Sequence, residues 1–345
     1  MVHGWLLKVR GRWATQNPRV CVPPAMTRPH ALLMAGVLLV FYLDGFVLGA
    51  PVALLLVWVL LGVVVLVGFL RHAGHGPAGR VQWPAVALAA LAALGVLALT
   101  RGASASVVLA TALVGVAGGA LEAAGRSRHR WQGVAAPVYC GAFAGMTSQL
   151  VLGHPAWVVL AGGLTGLVLS VLSDSWSGIG GKLGTTAFLG VVGVMGLAVA
   201  AGAMGSGASL HPFTAVERSL VLILSLLSPL VTHALSYRLG LGVVLGSALP
   251  SMLLAILLGA LPAALQLEPV PLSDAWLGAS FVGMTAPERL APRPLPLLLA
   301  MGLLFALLSL SFAPRLPGIG GDLGVTAAVS VFAVLGARVL VRDRR

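Results

Sequence analysis

The chain has 345 residues, 59% of them hydrophobic and only 9% charged, with a mean hydropathy of +1.02 and a formal net charge of +12. This balance lies far outside the range of soluble globular domains and defines a polytopic membrane protein. The basic residues fall in short clusters between apolar runs rather than on a soluble face, so the charge reports topology and argues against a nucleic-acid partner.

In chain order, residues 1–30 carry Lys8, Arg10, Arg12, Arg19 and Arg28 but no apolar core of the kind a cleavable signal requires, and they read as a basic cytoplasmic tail. Met26, just ahead of the first apolar run, is an alternative start. Two leading transmembrane helices follow within 31–70, near 31–49 and 51–70, with Asp44 inside the first, and then an Arg71 to Trp83 loop rich in Gly and His. Further apolar segments are predicted near 84–100, 105–124, 133–150, 156–173 and 182–203, and again near 218–236, 240–264, 275–290, 294–313 and 322–341. The total is about twelve hydrophobic segments. Their continuous runs, rich in Leu, Ala and Gly, favour helices over the alternating segments of a barrel, and the fold class is all-α. Cys21 and Cys140 are too few for a disulfide framework and have no metal-site spacing.

Two motifs recur. Gly178-Ile-Gly-Gly-Lys-Leu-Gly-Thr-Thr-Ala187 returns as Gly318-Ile-Gly-Gly-Asp-Leu-Gly-Val-Thr-Ala327, with eight of ten positions matched at a spacing of 140 residues. Phe143-Ala-Gly-Met-Thr147 returns as Phe281-Val-Gly-Met-Thr285 at a spacing of 138. Their shared order and near-equal spacing imply an internal duplication, with a first membrane repeat at 84–203 and a second at 218–341. If every segment spans, each repeat crosses five times and the second copy is inverted relative to the first. Then 18 of the 21 Lys and Arg fall inside, leaving Arg101, Arg218 and Arg315 outside. If the Phe-x-Gly-Met-Thr segments are re-entrant instead, the copies are parallel and the division becomes 17 against 4, so charge does not choose between the two. The acidic 265–275 loop and the 204–216 loop, which lacks Lys and Arg, both fall outside under the inverted arrangement, which is therefore the expected one. Trp83, Trp131, Trp157, Trp176 and Trp276 are expected at segment ends, in the headgroup layer.

Transporters are often built from two such copies, with the substrate site where broken, glycine-rich segments meet. The glycines Gly178, Gly180, Gly181, Gly318, Gly320 and Gly321 open apolar helices, where they permit φ > 0 and bring backbone N–H groups near a ligand at a positively polarised helix end. Close helix packing is the rival reading of the same glycines. Gly145, Thr147, Gly283, Thr285, Thr186 and Thr326 complete the expected substrate-binding set, the threonines either binding a solute or bonding back to their own helices. Lys182 and Asp322 occupy the variable fifth position of the long motif, as an opposed pair suited to gating or ion coupling, or else as a snorkelling lysine and a helix cap. Asp44 and His233 are ionisable groups at membrane depth and so are functional candidates. Pro229, Pro250 and Pro262 are expected to kink or end helices. Met146 and Met284 read as packing residues rather than metal ligands.

No His-Glu-x-x-His or Gly-x-Ser-x-Gly motif is present, and no enzymatic activity, cofactor or metal is expected. The expected function is a membrane transporter or channel for a small polar or anionic solute, multi-pass in a cell inner membrane with both termini cytoplasmic. The alternative is a non-transporting scaffold or anchor subunit. The expected partners are the lipid bilayer, a small solute or ion, and a homo-oligomeric or membrane complex.

Overall fold

A computed structural model describes residues 52–72, 79–125, 131–173, 175–206, 213–261, 267–312 and 318–342. The basic tail, the first leading segment with Asp44, Cys21, Arg126, Arg128, Arg130, Pro262, Arg315, Arg344 and Arg345 lie outside the described residues. Among the described residues all regular elements are helical, and the β pairing is an isolated bridge between Leu152 and Met204.

The helices are α1 (Val52–His72), α2 (Trp83–Gly102), α3 (Val107–Gly125), α4 (Ala135–Gly145), α5 (Pro155–Val171), α6 (Lys182–Ala200), α7 (Ala215–His233), α8 (Val243–Gly259), α9 (Pro269–Gly283), α10 (Pro287–Leu290), α11 (Pro294–Phe312) and α12 (Asp322–Arg342). A π-helical turn, Ala234–Arg238, continues α7. Six helices are long and apolar enough, by length and composition, to cross a membrane: α2, α3, α6, α7 with its π turn, α11 and α12. The chain is an all-α, multi-pass membrane protein.

Local chemistry starts these helices where they begin. Pro opens α5, α9, α10 and α11, and stands second in α2, where its missing N–H costs nothing. His154 Nδ1 accepts from Ala156 N at the start of α5 (3.2 Å). Thr214 and Glu217 form a reciprocal capping box on α7, and buried Glu217 also accepts from Glu268 N (3.0 Å), which ties α7 to the start of α9.

Several expectations need correction. Asp274 lies inside α9, which begins at Pro269, rather than in an acidic loop. Of the two expectations for Pro229 and Pro250, only helix termination is overturned, since both sit within α7 and α8; α7 turns π-helical five residues after its proline. Trp83 and Trp131 are exposed, but Trp176 is only 7% exposed, wedged edge-on between Phe69 and Phe332 with ring centroids 6.1 and 5.5 Å away. Trp276 lies along α9, half-buried.

Packing is by backbone approach at small residues. α6 and α12 lie antiparallel across their first two turns, with Gly181 against Ala328, Gly184 against Gly324 and Gly321 against Phe188. α3 and α8 are also antiparallel, with Gly115 on Ala248 and Gly119 on Leu245. α1 runs antiparallel to α12 through Gly68 on Phe332 and Gly336 on Val64. Gly145 of α4 and Gly162 of α5 pack on Ala93 and Ala89 of α2, just as Gly283 of α9 and Gly302 of α11 pack on Pro229 and Ser225 of α7.

The central crossing tolerates no added atom: a Cβ on Gly184 would lie 2.6 Å from the Gly324 Cα. Gly184→Ala is expected to cost about 1–3 kcal/mol or more and to lower the thermal midpoint in detergent. Gly196→Ala, in the same helix with nothing within 4 Å of its Cβ, is expected to be neutral or stabilising by less than about 1 kcal/mol. Equal midpoints for the two variants would refute this account of the crossing.

Candidate functional site

The two motif pairs meet at the centre of the molecule by exchange. The first Gly-Ile-Gly-Gly segment docks on the end of α9: Gly180 lies against the Phe281 carbonyl and Thr285, and Ala286 N donates to the Gly178 carbonyl (3.0 Å). The second docks in the same way on the end of α4: Gly320 lies against the Phe143 carbonyl and Thr147, and Ser148 N donates to the Gly318 carbonyl (2.8 Å). Gly178 and Gly318 both have φ of +74°, and Gly181 and Gly321 have φ of +86° and +89°, conformations that favour glycine. Gly320 N also donates to Thr147 Oγ1 (3.2 Å).

All four threonines bond back to their own helices. Thr147 donates to Ala144 O (2.8 Å), Thr285 to Val282 O (2.7 Å), Thr186 to Leu183 O (2.7 Å) and Thr326 to Asp322 O (3.0 Å). Asp322 Oδ1 accepts from Leu323 N (2.7 Å) at the start of α12 and lies within the field of Asp274. Lys182 Nζ donates to the Ser173 carbonyl (2.6 Å). The expected set is thus brought together around Gly145, Thr147, Gly178, Gly180, Gly181, Gly283, Thr285, Gly318, Gly320 and Gly321, and Gly145, Gly180, Gly181, Gly283, Gly320 and Gly321 lie against protein backbone.

Phe143 and Phe281 face each other across the centre, with centroids 4.8 Å apart, and Tyr139 lies 4.2 Å from Phe143. All three are buried. Behind them runs a chain of buried hydroxyls: Tyr139 Oη to Ser247 Oγ (2.9 Å), and Ser247 Oγ to Ser280 Oγ (2.6 Å). This chain joins α4, α8 and α9.

Open space lies beside the first motif. A cavity of about 370 Å³ is bounded by Gly178, Ile179, Gly181 and Lys182, by Glu122 of α3, by the first residues of α4 and α8, and by Tyr237 and Met284. Of the expected residues, Gly178, Gly181 and Lys182 line it. Glu122 Oε2 accepts from Ala135 N (2.9 Å), and the Tyr237 hydroxyl donates to the Met284 carbonyl (2.7 Å) just past the end of α9. His233 lies against Tyr237 with the rings tilted 50° and centroids 4.8 Å apart, and places Nδ1 3.3 Å from the Gly283 carbonyl. The nearby Arg289 donates to the Ser177 carbonyl (3.1 Å); burial lowers its pKa below the ordinary guanidinium value, and the Glu288 carboxylate opposes that shift.

Sequence reasoning missed Glu122, Tyr237 and the hydroxyl chain. A glutamate inside an apolar run was itself a signal, because ionisable groups at membrane depth are costly. Nothing in the sequence foretold that Tyr237 would reach Met284.

The fold and centre define a helical membrane protein in which two interrupted, glycine-rich segments meet. No family model, curated protein or solved structure matches the chain.

Thr147→Val would leave the buried Gly320 N–H without its acceptor and is expected to cost about 1–3 kcal/mol in thermal or denaturant unfolding. Thr147→Ser keeps the hydroxyl and should cost less. Equal stability of Thr147→Val and wild type would refute the bond's contribution.

Proposed function

We propose that this chain is a membrane transporter or channel for a small polar or anionic solute, built from two inverted five-segment units, 84–203 and 218–341, behind two leading helices. The observation that carries the reading is the exchange at the centre, where each Gly-Ile-Gly-Gly segment docks on the Phe-x-Gly-Met-Thr segment of the other unit. Glycine contacts support extending the correspondence beyond the motifs. Gly145 on Ala93 pairs with Gly283 on Pro229, and Gly162 on Ala89 with Gly302 on Ser225, each at offsets of 136–140 residues. The antiparallel pairs α6 with α12 and α3 with α8 join equivalent helices of the two units, as an in-plane two-fold axis requires.

The ends of the bundle support an orientation. Lys182, Arg289 and Arg338 support one basic end, and Arg101 bonded to Gln149 together with Glu217 and Glu268 supports an opposite one. The first is assigned to the cytoplasm of an inner-membrane protein. The cavity then opens toward that side, and Lys182 with the N-terminal end of α6 favours a solute carrying negative charge or accepting oxygens. Phe143 and Phe281 close the path beyond it.

A scaffold remains the second reading, favoured by the backbone contacts that fill the space at the motif glycines. Shrink–swell assays on proteoliposomes challenged with sulfate, phosphate, small carboxylates and neutral polyols separate the two. Transport by at least one probe is expected, about ten- to hundredfold slower in Lys182→Ala if that ammonium binds the solute, with added leak in Phe143→Ala. Absence of flux for every probe, with Lys182→Ala altering only the proteins that co-purify, would favour the scaffold.

Topology is tested by sided thiol labelling of Lys182→Cys and Asp322→Cys, each in a protein lacking Cys21 and Cys140. Lys182→Cys should label from the cytoplasm and Asp322→Cys from outside. Labelling of both from outside would overturn the inverted arrangement.

A further inference from the structure

The cavity beside the first Gly-Ile-Gly-Gly motif carries both a basic and an acidic side chain on its wall. Lys182 opens α6 there, and Glu122 stands in the last turn of α3. A carboxylate near a helix C-terminus opposes the helix dipole, so the stability of α3 does not account for it. Glu122 reaches instead to the next helix, where Oε2 accepts from Ala135 N (2.9 Å) at the start of α4. That bond occupies one carboxylate oxygen of two, and Oε1 retains its capacity to accept.

The polar groups on the wall divide by kind. Tyr237, on the π-helical turn, donates its hydroxyl proton to the Met284 carbonyl (2.7 Å), so its oxygen offers lone pairs to any further partner. Glu122 and Tyr237 are thus acceptors, suited to an ammonium group. Lys182 is a donor: one N–H of its ammonium goes to the Ser173 carbonyl (2.6 Å), and the side chain borders the cavity. Gly181 and Leu183 bring the first turn of α6 to the same wall, where the helix end is positively polarised. Lys182 and this turn suit a carboxylate. Ile179, Val243, Val244 and Met284 make much of the remaining wall apolar.

A solute with only negative charge would suit Lys182 and meet Glu122 as a like charge, and a simple cation would do the reverse. A solute carrying both charges suits both. We propose that the cavity takes a small zwitterion, an amino acid with an apolar side chain. Its carboxylate lies toward Lys182 and the start of α6, and its ammonium toward Glu122 and Tyr237. This assignment rests on the transport reading of the same site and narrows its solute class. The volume of about 370 Å³ falls within the range of about 300–1,000 Å³ usual for small-molecule pockets.

The test uses the full-length protein with three probes: leucine, isocaproate (the same skeleton without the amine) and isoamylamine (the skeleton without the carboxylate). Binding is read by isothermal titration in neutral detergent, and flux of leucine and isocaproate in proteoliposomes. Leucine should bind about tenfold or more tighter than either analogue. Glu122→Gln, whose amide oxygen still accepts from Ala135 N, should erase the preference for leucine over isocaproate. Isocaproate should bind this variant at least as tightly as wild type, which shows that the variant is folded. Lys182→Gln should instead erase the preference for leucine over isoamylamine. No binding of any probe, equal binding of leucine and isocaproate by wild type, or an unchanged preference in Glu122→Gln would overturn the zwitterion. If isocaproate or an inorganic anion still crosses in that case, the transport reading stands without it. Leucine bound with the expected preference but never moved would support the zwitterion site and overturn transport.

Discussion

Hydrocarbon offers no partner to a backbone amide or carbonyl, so any break in a helix inside a membrane must be satisfied by protein. On the proposed reading this chain has two such breaks, at Gly178–Gly181 and Gly318–Gly321, and each docks on the segment that follows a short helix distant in sequence, α9 and α4 respectively. The Gly178 carbonyl takes the amide of Ala286, the Gly318 carbonyl takes that of Ser148, and the Gly320 amide is held by Thr147. If both lie at membrane depth, as proposed, neither could exist alone in lipid, and the antiparallel crossing of α6 and α12 sits beside their docking.

That constraint explains why the motif glycines serve conformation and packing at once. Gly178, Gly181, Gly318 and Gly321 need positive φ, while Gly180, Gly184, Gly320 and Gly324 have no room for a Cβ. Tight packing and function are not exclusive here. On the proposed transport reading, a centre held by backbone bonds and an edge-to-face Phe143–Phe281 pair would serve as the closed barrier that a transport cycle requires.

On the proposed two-unit reading, the units differ in their polar residues. Lys182 borders the cavity together with Glu122 and Tyr237, whereas its counterpart Asp322 begins α12 with Oδ1 accepting from Leu323 N. Ser247 and Ser280 bond in a chain to Tyr139, and the positions matching Tyr139 and Ser280 at the motif spacing of 138 residues are Leu277 and Ala142, which carry no hydroxyl. On that reading the frame carries an asymmetric set of polar groups, and the two sides of the barrier would present different chemistry to a solute.

Membrane character, helical class and the approximate extents of most segments were legible in the sequence, because they depend on residue-by-residue hydrophobicity, proline and glycine placement and local caps such as Thr214 with Glu217. The motifs could be found by eye because eight of ten positions survive in the longer one. The bounds of α9, the burial of Trp176 and the cavity beside Lys182 were not legible, since each depends on which distant helix lies opposite. The sequence alone determined that glycine-rich breaks and threonines would recur at equivalent places. Tertiary structure decided that each glycine segment docks on the Phe-x-Gly-Met-Thr segment distant from it in sequence, that the threonines bond back to their helices, and that a cavity lies beside the first motif. The physical reason is that hydrophobicity and φ preference belong to single residues, whereas the partner of a buried amide or the room beside a Cα belongs to the packing of whole helices.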